Sequence, residues 1–406
     1  LSVGCAFIFW PEAFGQFAFT PFGKIYSIVL VAVPLFVFMA EMIVASKTSS
    51  DAYDAAYDWF GPLPGGLAVA STAVAGIFAA TCGAAAGAIA SIGKISITEM
   101  IERGYDKRLA VGSVASGSTV AELIPPSIFM ILIGVISETS IGKLFIAGII
   151  PGILQLSLFS IYIILRSKIN PAFGPPAVGI TWKAKLTSFY KILPLTSLVV
   201  LLFGGLYTGF ATPTEVAATG AVGSIAIAAL YKKLTWEVFQ KSIFNTVRIT
   251  CFIMWILFAA AIFSQIFTKM GVPAGLCDWM LGLEVSKYVV LVIINLILIL
   301  LGCFIDPAGI ILITIPIFMP IMIGLGFDPI WFGVIFVINM ELALLTPPLG
   351  LNVFVVKAVL DTEGINVSFG EIVRAIVPFL LLVVLLIVIL TIFPDLVTWL
   401  PGKMIV

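Results

Sequence analysis

Two polar, proline-broken runs interrupt long apolar segments of this chain. The first is GSTVAELIPPS at residues 117–127, and the second is ELALLTPPLGLN at residues 341–352. Their Pro-Pro pairs begin at Pro125 and Pro347, so the two runs are 347 − 125 = 222 residues apart. The same separation relates two further pairs of landmarks, Gly104-Tyr105-Asp106 with Gly326-Phe327-Asp328, and Gly87 with Gly309. The chain therefore carries an internal duplication. Proline breaks a helix at the same point of each copy, because it lacks an N–H donor and clashes with the preceding turn.

The composition indicates the solvent that surrounds these segments. Hydrophobic residues make up 61% of the 406 residues and charged residues only 10%. Soluble domains are about half apolar and about a quarter charged, so this composition indicates a multi-pass membrane protein. The 21 basic and 21 acidic residues balance, which implies no nucleic-acid partner. The absence of histidine and of metal-ligand spacing among the five cysteines argues against zinc chemistry.

Small residues divide two of the apolar segments into short halves. The run TCGAAAG at 81–87 divides the first segment, and CFIDPAG at 303–309 divides the second, which spans residues 287–325. Each half is short for crossing a bilayer alone, so the pattern predicts re-entrant helical hairpins buried within protein. The alternative is one full span with an additional buried segment.

The charged loops predict that the two copies face opposite ways. The loops at 103–108, 166–191 and 232–241 are basic, which places them in the cytoplasm. Counting the predicted spans from there places residues 326–328, which contain no lysine or arginine, on the outside. The predicted fold is therefore an all-α polytopic membrane protein with an inverted repeat, two re-entrant hairpins and two broken transmembrane helices.

The predicted domain organisation alternates scaffold and transport segments. We assign 1–62 to N-terminal scaffold helices, 63–136 to transport repeat 1, 137–286 to scaffold helices with an interfacial helix at 235–247, 287–359 to transport repeat 2, and 360–406 to a C-terminal scaffold helix. The chain starts at Leu1 within an apolar region and without methionine, so we expect preceding residues rather than a signal peptide.

Inverted repeats with broken helices are the architecture of secondary transporters. Carbonyls freed at the C-terminal ends of half-helices suit a cation, and N–H groups freed at N-terminal ends suit a carboxylate. The duplicated breaks therefore predict a transport site. A channel is an alternative, but paired hairpins fit alternating access better than a fixed pore.

Several polar residues at membrane depth are candidates for this site, each with a structural alternative. Asp306 either binds a cation or substrate, or caps the half-helix that begins near Pro307. Glu341 is either functional or braces the broken segment, whereas Glu122 requires a buried partner and Glu41 is interpreted as interfacial. Four hydroxyls either ligate a cation or bond back to their own turn; they belong to Ser118, Thr119, Ser127 and Thr346. We expect Asn352 to bond freed backbone groups.

The motifs together resemble the large membrane (M) subunit of tripartite ATP-independent periplasmic (TRAP) transporters. They occur in one order from about residue 30 to the end: LPGG at 63–66, ERGYD at 102–106, LIPPS at 123–127, TSIGKLFIAGIIPG at 139–152, GFATPTE at 209–215, IDP at 305–307 and TPPLGLN at 346–352. The resemblance implies an elevator transporter, in which a mobile domain slides against a scaffold braced by a small four-helix (Q) subunit. It also implies a periplasmic binding protein (P subunit) that delivers a carboxylate, sodium as the coupling ion, no other cofactor, and the inner membrane of a bacterium or archaeon.

The resemblance also assigns site residues by position. Those implied to bind sodium are Cys82, Gly83, Ala84, Gly117, Ser118, Thr119, Asp306, Thr346, Pro347 and Gly350. Those implied to face the substrate are Ala85, Glu122, Ser127, Pro307, Pro348 and Asn352.

Two positions depart from the family pattern. The first hairpin tip usually resembles Ser-Gly-Ser-Ser but here is Cys82-Gly83-Ala84-Ala85. Sodium at this tip would rely on backbone carbonyls with Ser118 or Thr119, or else the substrate is unusual. Glu122 replaces a residue that is usually uncharged, which adds a cation or proton site.

Other functions are weighed against sodium-coupled uptake. A two-hairpin anion transporter that works without a binding protein would be self-sufficient, and proton coupling would use Glu122 and Asp306. An intramembrane hydrolase would need paired acids or a serine–histidine arrangement. The chain has no histidine, and position 84, equivalent to Asp306, is alanine. We therefore expect a transporter and not an enzyme.

Overall fold

The computed structural model describes residues 28–46, 49–82, 85–177, 180–272, 275–276, 282 and 285–404. Within these ranges the regular secondary structure is entirely helical, which confirms the predicted fold class. The span end predicted within residues 1–20 and two predicted sodium ligands, Gly83 and Ala84, lie outside the described residues.

The first part of the chain contains the first hairpin and the first broken helix. Its helices are α1 (Ala32–Ala45), α2 (Ser49–Phe60), α3 (Gly66–Cys82), α4 (Ala85–Ala88), α5 (Lys94–Glu102), α6 (Lys107–Gly117), α7 (Ile128–Ser137) and α8 (Ile141–Ile169). A π-helical turn at Ile89–Gly93 joins α4 to α5, and a 3-10 turn at Ser118–Glu122 extends α6.

The second part begins with three long helices and then repeats the arrangement. Its helices are α9 (Trp182–Tyr207), α10 (Pro213–Leu230), α11 (Trp236–Lys269), α12 (Lys287–Gly302), α13 (Pro307–Gly324), α14 (Pro329–Leu345), α15 (Leu351–Thr362), α16 (Phe369–Ile392) and α17 (Asp395–Thr398). The interfacial helix expected at 235–247 is continuous with the following span in α11. The junction at 247–249 reads Val-Arg-Ile, which contains no helix-breaking residue.

The helix packing confirms both hairpins and the duplication. Helix α3 packs against the α4–α5 segment, and α12 packs against α13. Helix α13 also packs against α7, while the π turn after α4 packs against α15. These last two contacts are equivalent, because residues 85–93 and 128–137 correspond to 307–315 and 350–359 at the 222-residue separation.

Helix α16 shows that the two copies run in opposite directions. Near its start, the Ala375 carbonyl lies against Gly112 of α6, where an added Cβ would come within 2.4 Å of the carbonyl oxygen. Near its end, the Leu390 carbonyl accepts a hydrogen bond from the indole N–H of Trp331 in α14, at 2.9 Å. Fifteen residues of helix separate these points by about 22 Å. Arg108 at the start of α6 also interacts electrostatically with Glu371 in the first turn of α16. The N-terminal turns of α6 and α14 therefore lie near opposite ends of α16.

The equivalent Gly-X-Asp turns begin α6 and α14 by the same mechanism. Asp106 accepts hydrogen bonds from the N–H groups of Arg108 and Leu109, at 2.9 and 3.2 Å. Asp328, which is 222 residues further on, accepts one from the N–H of Trp331 at 2.9 Å. Such N-cap bonds satisfy donors that have no partner within the helix.

Two of the basic loops predicted to be cytoplasmic meet at one end of the molecule. The N–H of Asp106 donates to the Phe173 carbonyl at 3.1 Å, and the N–H of Gly65 donates to the Gly174 carbonyl at 2.9 Å. The Tyr105 hydroxyl also accepts from the N–H of Leu67 at 3.2 Å, and burial raises the pKa of this tyrosine. The base of the first hairpin, the 103–106 turn and the 173–174 loop therefore form one structural unit.

The helices form a central group and a peripheral group. Helix α1 packs against α10 and α11, and these three helices belong to the peripheral group. Helix α8 packs against α3, α6 and α14, and α16 packs against α6, α8 and α14; these five helices belong to the central group. Six helices of the described residues are long and apolar enough to cross a bilayer, and α9, bent by 53° near residue 191, provides a seventh if it counts as one span. The chain is thus a multi-pass membrane protein.

Candidate transport site at the two helix breaks

The first break is a buried turn that approaches the first hairpin closely. Helix α6 ends at Gly117, where an added Cβ would lie 2.8 Å from Cα of Thr72 in α3. The 3-10 turn and a cis Pro125-Pro126 peptide bond follow. Ser127 then begins α7 as its N-cap, with its hydroxyl accepting from the N–H of Met130 at 3.3 Å. This bond is the structural alternative considered for the Ser127 hydroxyl.

The second break has the same construction with a glycine at its end. Helix α14 ends at Leu345, and the Thr346 hydroxyl donates back to the Leu342 carbonyl at 2.6 Å. A cis Pro347-Pro348 bond follows, equivalent to the one in the first break. Gly350 has a φ of +30° and begins α15, a conformation that favours glycine over residues with a side chain.

Each hairpin tip is hydrogen-bonded to the break of its own repeat, but by different groups. In the second repeat, the N–H of Leu349 donates to the Cys303 carbonyl at 3.2 Å. In the first repeat, the N–H of Ala85 donates to Oε1 of Glu122 at 3.2 Å. Asp306 caps α13, with Oδ2 accepting from the N–H groups of Ala308 and Gly309 at 2.9 and 3.2 Å.

The two breaks are joined across the repeats by Asn352. Its amide nitrogen donates to the Ser118 hydroxyl at 3.2 Å and to the Ala115 carbonyl at 3.4 Å. The Ser118 hydroxyl itself donates to Ala115 at 2.8 Å, so it bonds to its own turn and also reaches the other repeat. Ser118 and Asn352, two of the residues implied by the resemblance, are therefore brought together.

A second contact between the repeats joins equivalent positions. The Thr119 hydroxyl lies 3.3 Å from Oε2 of Glu341, and 341 − 119 = 222. Equivalent residues of an inverted repeat meet only at its approximate twofold axis, so this pair marks the axis. Gln155 of α8 donates from its amide nitrogen to the same Oε2 of Glu341.

Gln155 is the residue of this cluster that the sequence analysis did not identify. It is fully buried in the middle of α8. The available signal was its residue type, because it is the only side-chain amide in the helix from Ile141 to Ile169. Its partner lies 186 residues further along the chain, and no local pattern indicated that contact.

The remaining candidates lie in the peripheral group, at helix ends or in a break. Glu41 of α1 accepts a hydrogen bond from the Asn245 amide in α11 at 2.8 Å, which places it in the peripheral group. Cys82 is the last residue of α3, and Pro307 is the first residue of α13. Pro348 is exposed, whereas Pro126 of the first break is buried.

Several buried oxygen atoms near the breaks have no hydrogen-bond partner among the described residues. They are Oε2 of Glu122, Oε1 of Glu341, Oε1 of Gln155, Oδ1 of Asn352 and the Ser116 hydroxyl. Most buried polar atoms in proteins are hydrogen-bonded, so such a group of exceptions requires an explanation. Within the described residues, no three His, Cys, Asp or Glu side chains are grouped as a metal site. The available ligands for an ion are therefore mainly hydroxyl, amide and backbone oxygens with single carboxylates.

The fold and the paired breaks define a class of membrane transporter built on an inverted repeat with two hairpins. The family model described as "Tripartite ATP-independent periplasmic transporter, DctM component" matches residues 7–396. The chain belongs to this family of large permease subunits, as its motifs indicated.

Known relatives agree with this assignment, and a solved structure shares the fold. The chain is 35% identical over 398 residues to the C4-dicarboxylate TRAP transporter large permease protein DctM of Pseudomonas aeruginosa, covering 97% of this chain and 91% of that protein. It is 31% identical to the isethionate TRAP transporter permease protein DctMQ of Oleidesulfovibrio alaskensis, covering 95% of this chain and 60% of that longer protein. These relatives are named as permeases and not as enzymes. The crystal structure of the Alcanivorax borkumensis YdaH transporter shares the fold, with a TM-score of 0.64, 15% identity, and coverage of 95% of this chain and 89% of that chain.

Proposed function

We propose that this chain is the permease subunit of a sodium-coupled secondary transporter that imports a small organic acid. The observation that carries the proposal is the bond between Asn352 and Ser118, which joins the two breaks at the centre of an inverted repeat. Freed helix ends from both repeats then surround one site, and such a site suits exposure to each side of the membrane in turn.

We assign the ions and the substrate to the helix ends around this junction. One sodium ion would use Cys82, which ends α3, and the following Gly83 and Ala84, together with Gly117, Ser118 and the backbone carbonyl of Thr119. A second would use Asp306, Thr346, Pro347 and Gly350. The carboxylate substrate would face Ala85, Glu122, Ser127, Pro307, Pro348 and Asn352. The supporting physics is the partial negative charge at half-helix C-terminal ends and the partial positive charge at N-terminal ends.

The proposed transport movement is an elevator step of the central group against the peripheral group. Apolar side chains line the contact between the two groups, for example Phe36 of α1 and Phe145 of α8, whose ring centroids are 5.8 Å apart. An apolar contact slides without breaking hydrogen bonds. Because α8 and α16 pack against the broken helices, we propose that they move with them, although the sequence assigned residues 137–286 and 360–406 to the scaffold.

The proposed partners are a small Q subunit in the inner membrane and a periplasmic substrate-binding protein. The Q partner is supported by the isethionate relative, whose name DctMQ joins both components and of which this chain matches 60%. The relatives are named for C4-dicarboxylate and isethionate, which are both organic anions and support an organic acid as the substrate class.

Proton-coupled uptake is the second candidate, and Glu122 favours it. This carboxyl group is 2% exposed, and its Oε2 has no hydrogen-bond partner among the described residues. A buried carboxyl group that faces a transport site suits proton transfer.

Reconstitution in liposomes tests the proposal. The chain, a small subunit and a binding protein would be incorporated, and uptake of labelled carboxylates would be measured with an inward sodium gradient, a proton gradient or neither. We expect uptake that requires sodium and the binding protein. Uptake driven by protons alone would favour the second candidate, and uptake without a binding protein would contradict the tripartite assignment.

A further inference from the structure

We propose that Glu341, Gln155 and Thr119 form a sodium site at the approximate twofold axis, separate from the two hairpin tips. Three different elements contribute to it. Glu341 lies in α14, Gln155 in α8, and Thr119 in the 3-10 turn that follows α6. All three side chains are completely buried.

The hydrogen bonds within the cluster use only one carboxylate oxygen. Oε2 of Glu341 accepts from the Gln155 amide nitrogen and lies 3.3 Å from the Thr119 hydroxyl. The Thr119 hydroxyl is also 2.9 Å from the Ser116 carbonyl. Oε1 of Glu341 and Oε1 of Gln155 have no hydrogen-bond partner among the described residues. Two acceptor oxygens therefore have no donor within the part of the chain that the structure describes. A purely structural brace would not require unpaired acceptors.

An ionised Glu341 in this cluster would lack a compensating positive charge from the described part of the chain. Among the described residues, the ion pairs join Lys94 to Glu363, Arg103 to Glu99, and Lys357 to Asp361, and none of them reaches Glu341. Burying a carboxylate without a cation beside it costs roughly several kcal/mol, even after the surrounding protein has relaxed. Carboxylate, amide and hydroxyl oxygens are ligands that suit a hard cation. A small metal cation between these oxygens would neutralise the carboxylate. It would also give the two unpaired oxygens a partner.

A carboxylate–amide pair elsewhere in the chain shows why a brace alone does not explain the cluster. Glu41 and Asn245 form such a pair at 2.8 Å in the peripheral group. Both residues are only half-buried, so they remain accessible from outside the protein. Glu341 and Gln155 have no such access, and Glu41 therefore provides a matched control.

The site combines residues of both repeats, whereas each hairpin tip with its break belongs to one repeat. An ion at this position would be bound by α6, α8 and α14 together and would remain with the central group. The inference adds an ion to the proposed sodium coupling and rests on that proposal for its role in transport. Binding itself is measurable without transport.

Counting bound sodium on the purified full chain tests the inference. Equilibrium binding of ²²Na⁺ would be measured for the wild type, Glu341→Gln, Gln155→Leu and the control Glu41→Gln, with helical content and elution profile as folding checks. We expect Glu341→Gln and Gln155→Leu each to lose one bound ion per chain, and Glu41→Gln to bind as the wild type does. Gln155 belongs to neither hairpin site, and leucine suits an apolar helix. Gln155→Leu therefore decides whether this site binds sodium if Glu341→Gln does not fold.

Two outcomes would overturn the inference. One is an unchanged number and affinity of bound ions in Gln155→Leu. The other is a Glu341→Gln variant that binds sodium normally but loses pH-dependent uptake, which would identify a proton-binding carboxyl group. Asp306→Asn distinguishes this site from the hairpin tips. The double variant Asp306→Asn/Glu341→Gln should lose the bound ions that each single variant loses. Sodium-independent uptake in liposomes would contradict the proposed function and leave this binding result intact.

Discussion

The carboxylate of Glu122 accepts a hydrogen bond from the N–H of Ala85 at 3.2 Å, and so a broken helix caps a hairpin helix. In the second repeat, Asp306 caps the equivalent helix from within the hairpin. The difference follows from one position, since 306 − 222 = 84 and residue 84 is alanine. The two repeats thus satisfy the same helix end from different parts of the chain.

This relationship predicts that Glu122 stabilises the first hairpin as a hydrogen-bond acceptor. Glu122→Gln keeps an acceptor oxygen for Ala85 and should unfold close to the wild-type temperature. Glu122→Leu leaves a buried N–H unpaired, which should cost about 1–3 kcal/mol. Thermal unfolding in detergent measures both variants. Equal stability of Glu122→Leu and the wild type would contradict the capping role.

The helix-capping role of Asp306 can be separated experimentally from the role of its negative charge. Asn is as good an N-cap as Asp, so Asp306→Asn should fold normally, whereas Asp306→Ala should lose about 0.5–2 kcal/mol. If the carboxylate also binds sodium, both variants should lose sodium-driven uptake in liposomes. Wild-type uptake by Asp306→Asn would leave Asp306 with the capping role alone.

Gly117 is expected to tolerate no side chain. Gly117→Ala would place a Cβ 2.8 Å from the backbone of Thr72, so α3 and α6 would have to separate. Such overpacking costs about 1–3 kcal/mol. The matched control is Gly204→Ala in α9, where an added Cβ meets nothing within 4 Å. The control should be neutral or stabilising by about 1 kcal/mol, because alanine favours helix over glycine. Equal melting temperatures for the two variants would contradict the close packing at the first break.

Cross-linking can test which helices move. Phe36 and Phe145 are in contact between the peripheral and central groups, whereas Phe159 and Phe379 are in contact within the central group, with ring centroids 5.2 Å apart. In a background without native cysteines, mercury should arrest uptake by the Phe36→Cys/Phe145→Cys variant, and a thiol should restore it.

The Phe159→Cys/Phe379→Cys variant is the control for this experiment. It should remain active after cross-linking, because α8 and α16 are proposed to move together. Arrest of both variants would indicate that α16 does not move with α8. Arrest of neither would support the sequence-based boundaries, which assign α1, α8 and α16 to the scaffold.

Much of the fold follows from local sequence patterns. The Pro-Pro pairs at 125 and 347 require helix breaks, and the short halves around 81–87 and 303–309 are typical of hairpins, because these effects depend on neighbouring residues and on the bilayer thickness. The family motifs likewise lie in continuous runs. The interfacial helix was placed less well, since nothing at 247–249 indicates whether a helix ends or continues into α11.

The sequence by itself determined the membrane environment, the duplication, the hairpins, the breaks and the family. Only the tertiary structure decided which polar groups meet. It placed Gln155 against Glu341, Asn352 against Ser118, and Glu122 against Ala85. The physical reason is that these contacts depend on how helices far apart in the chain are rotated and packed against one another. Hydropathy and helix-breaking residues act locally, whereas a hydrogen bond between helices requires a particular face and depth for each partner.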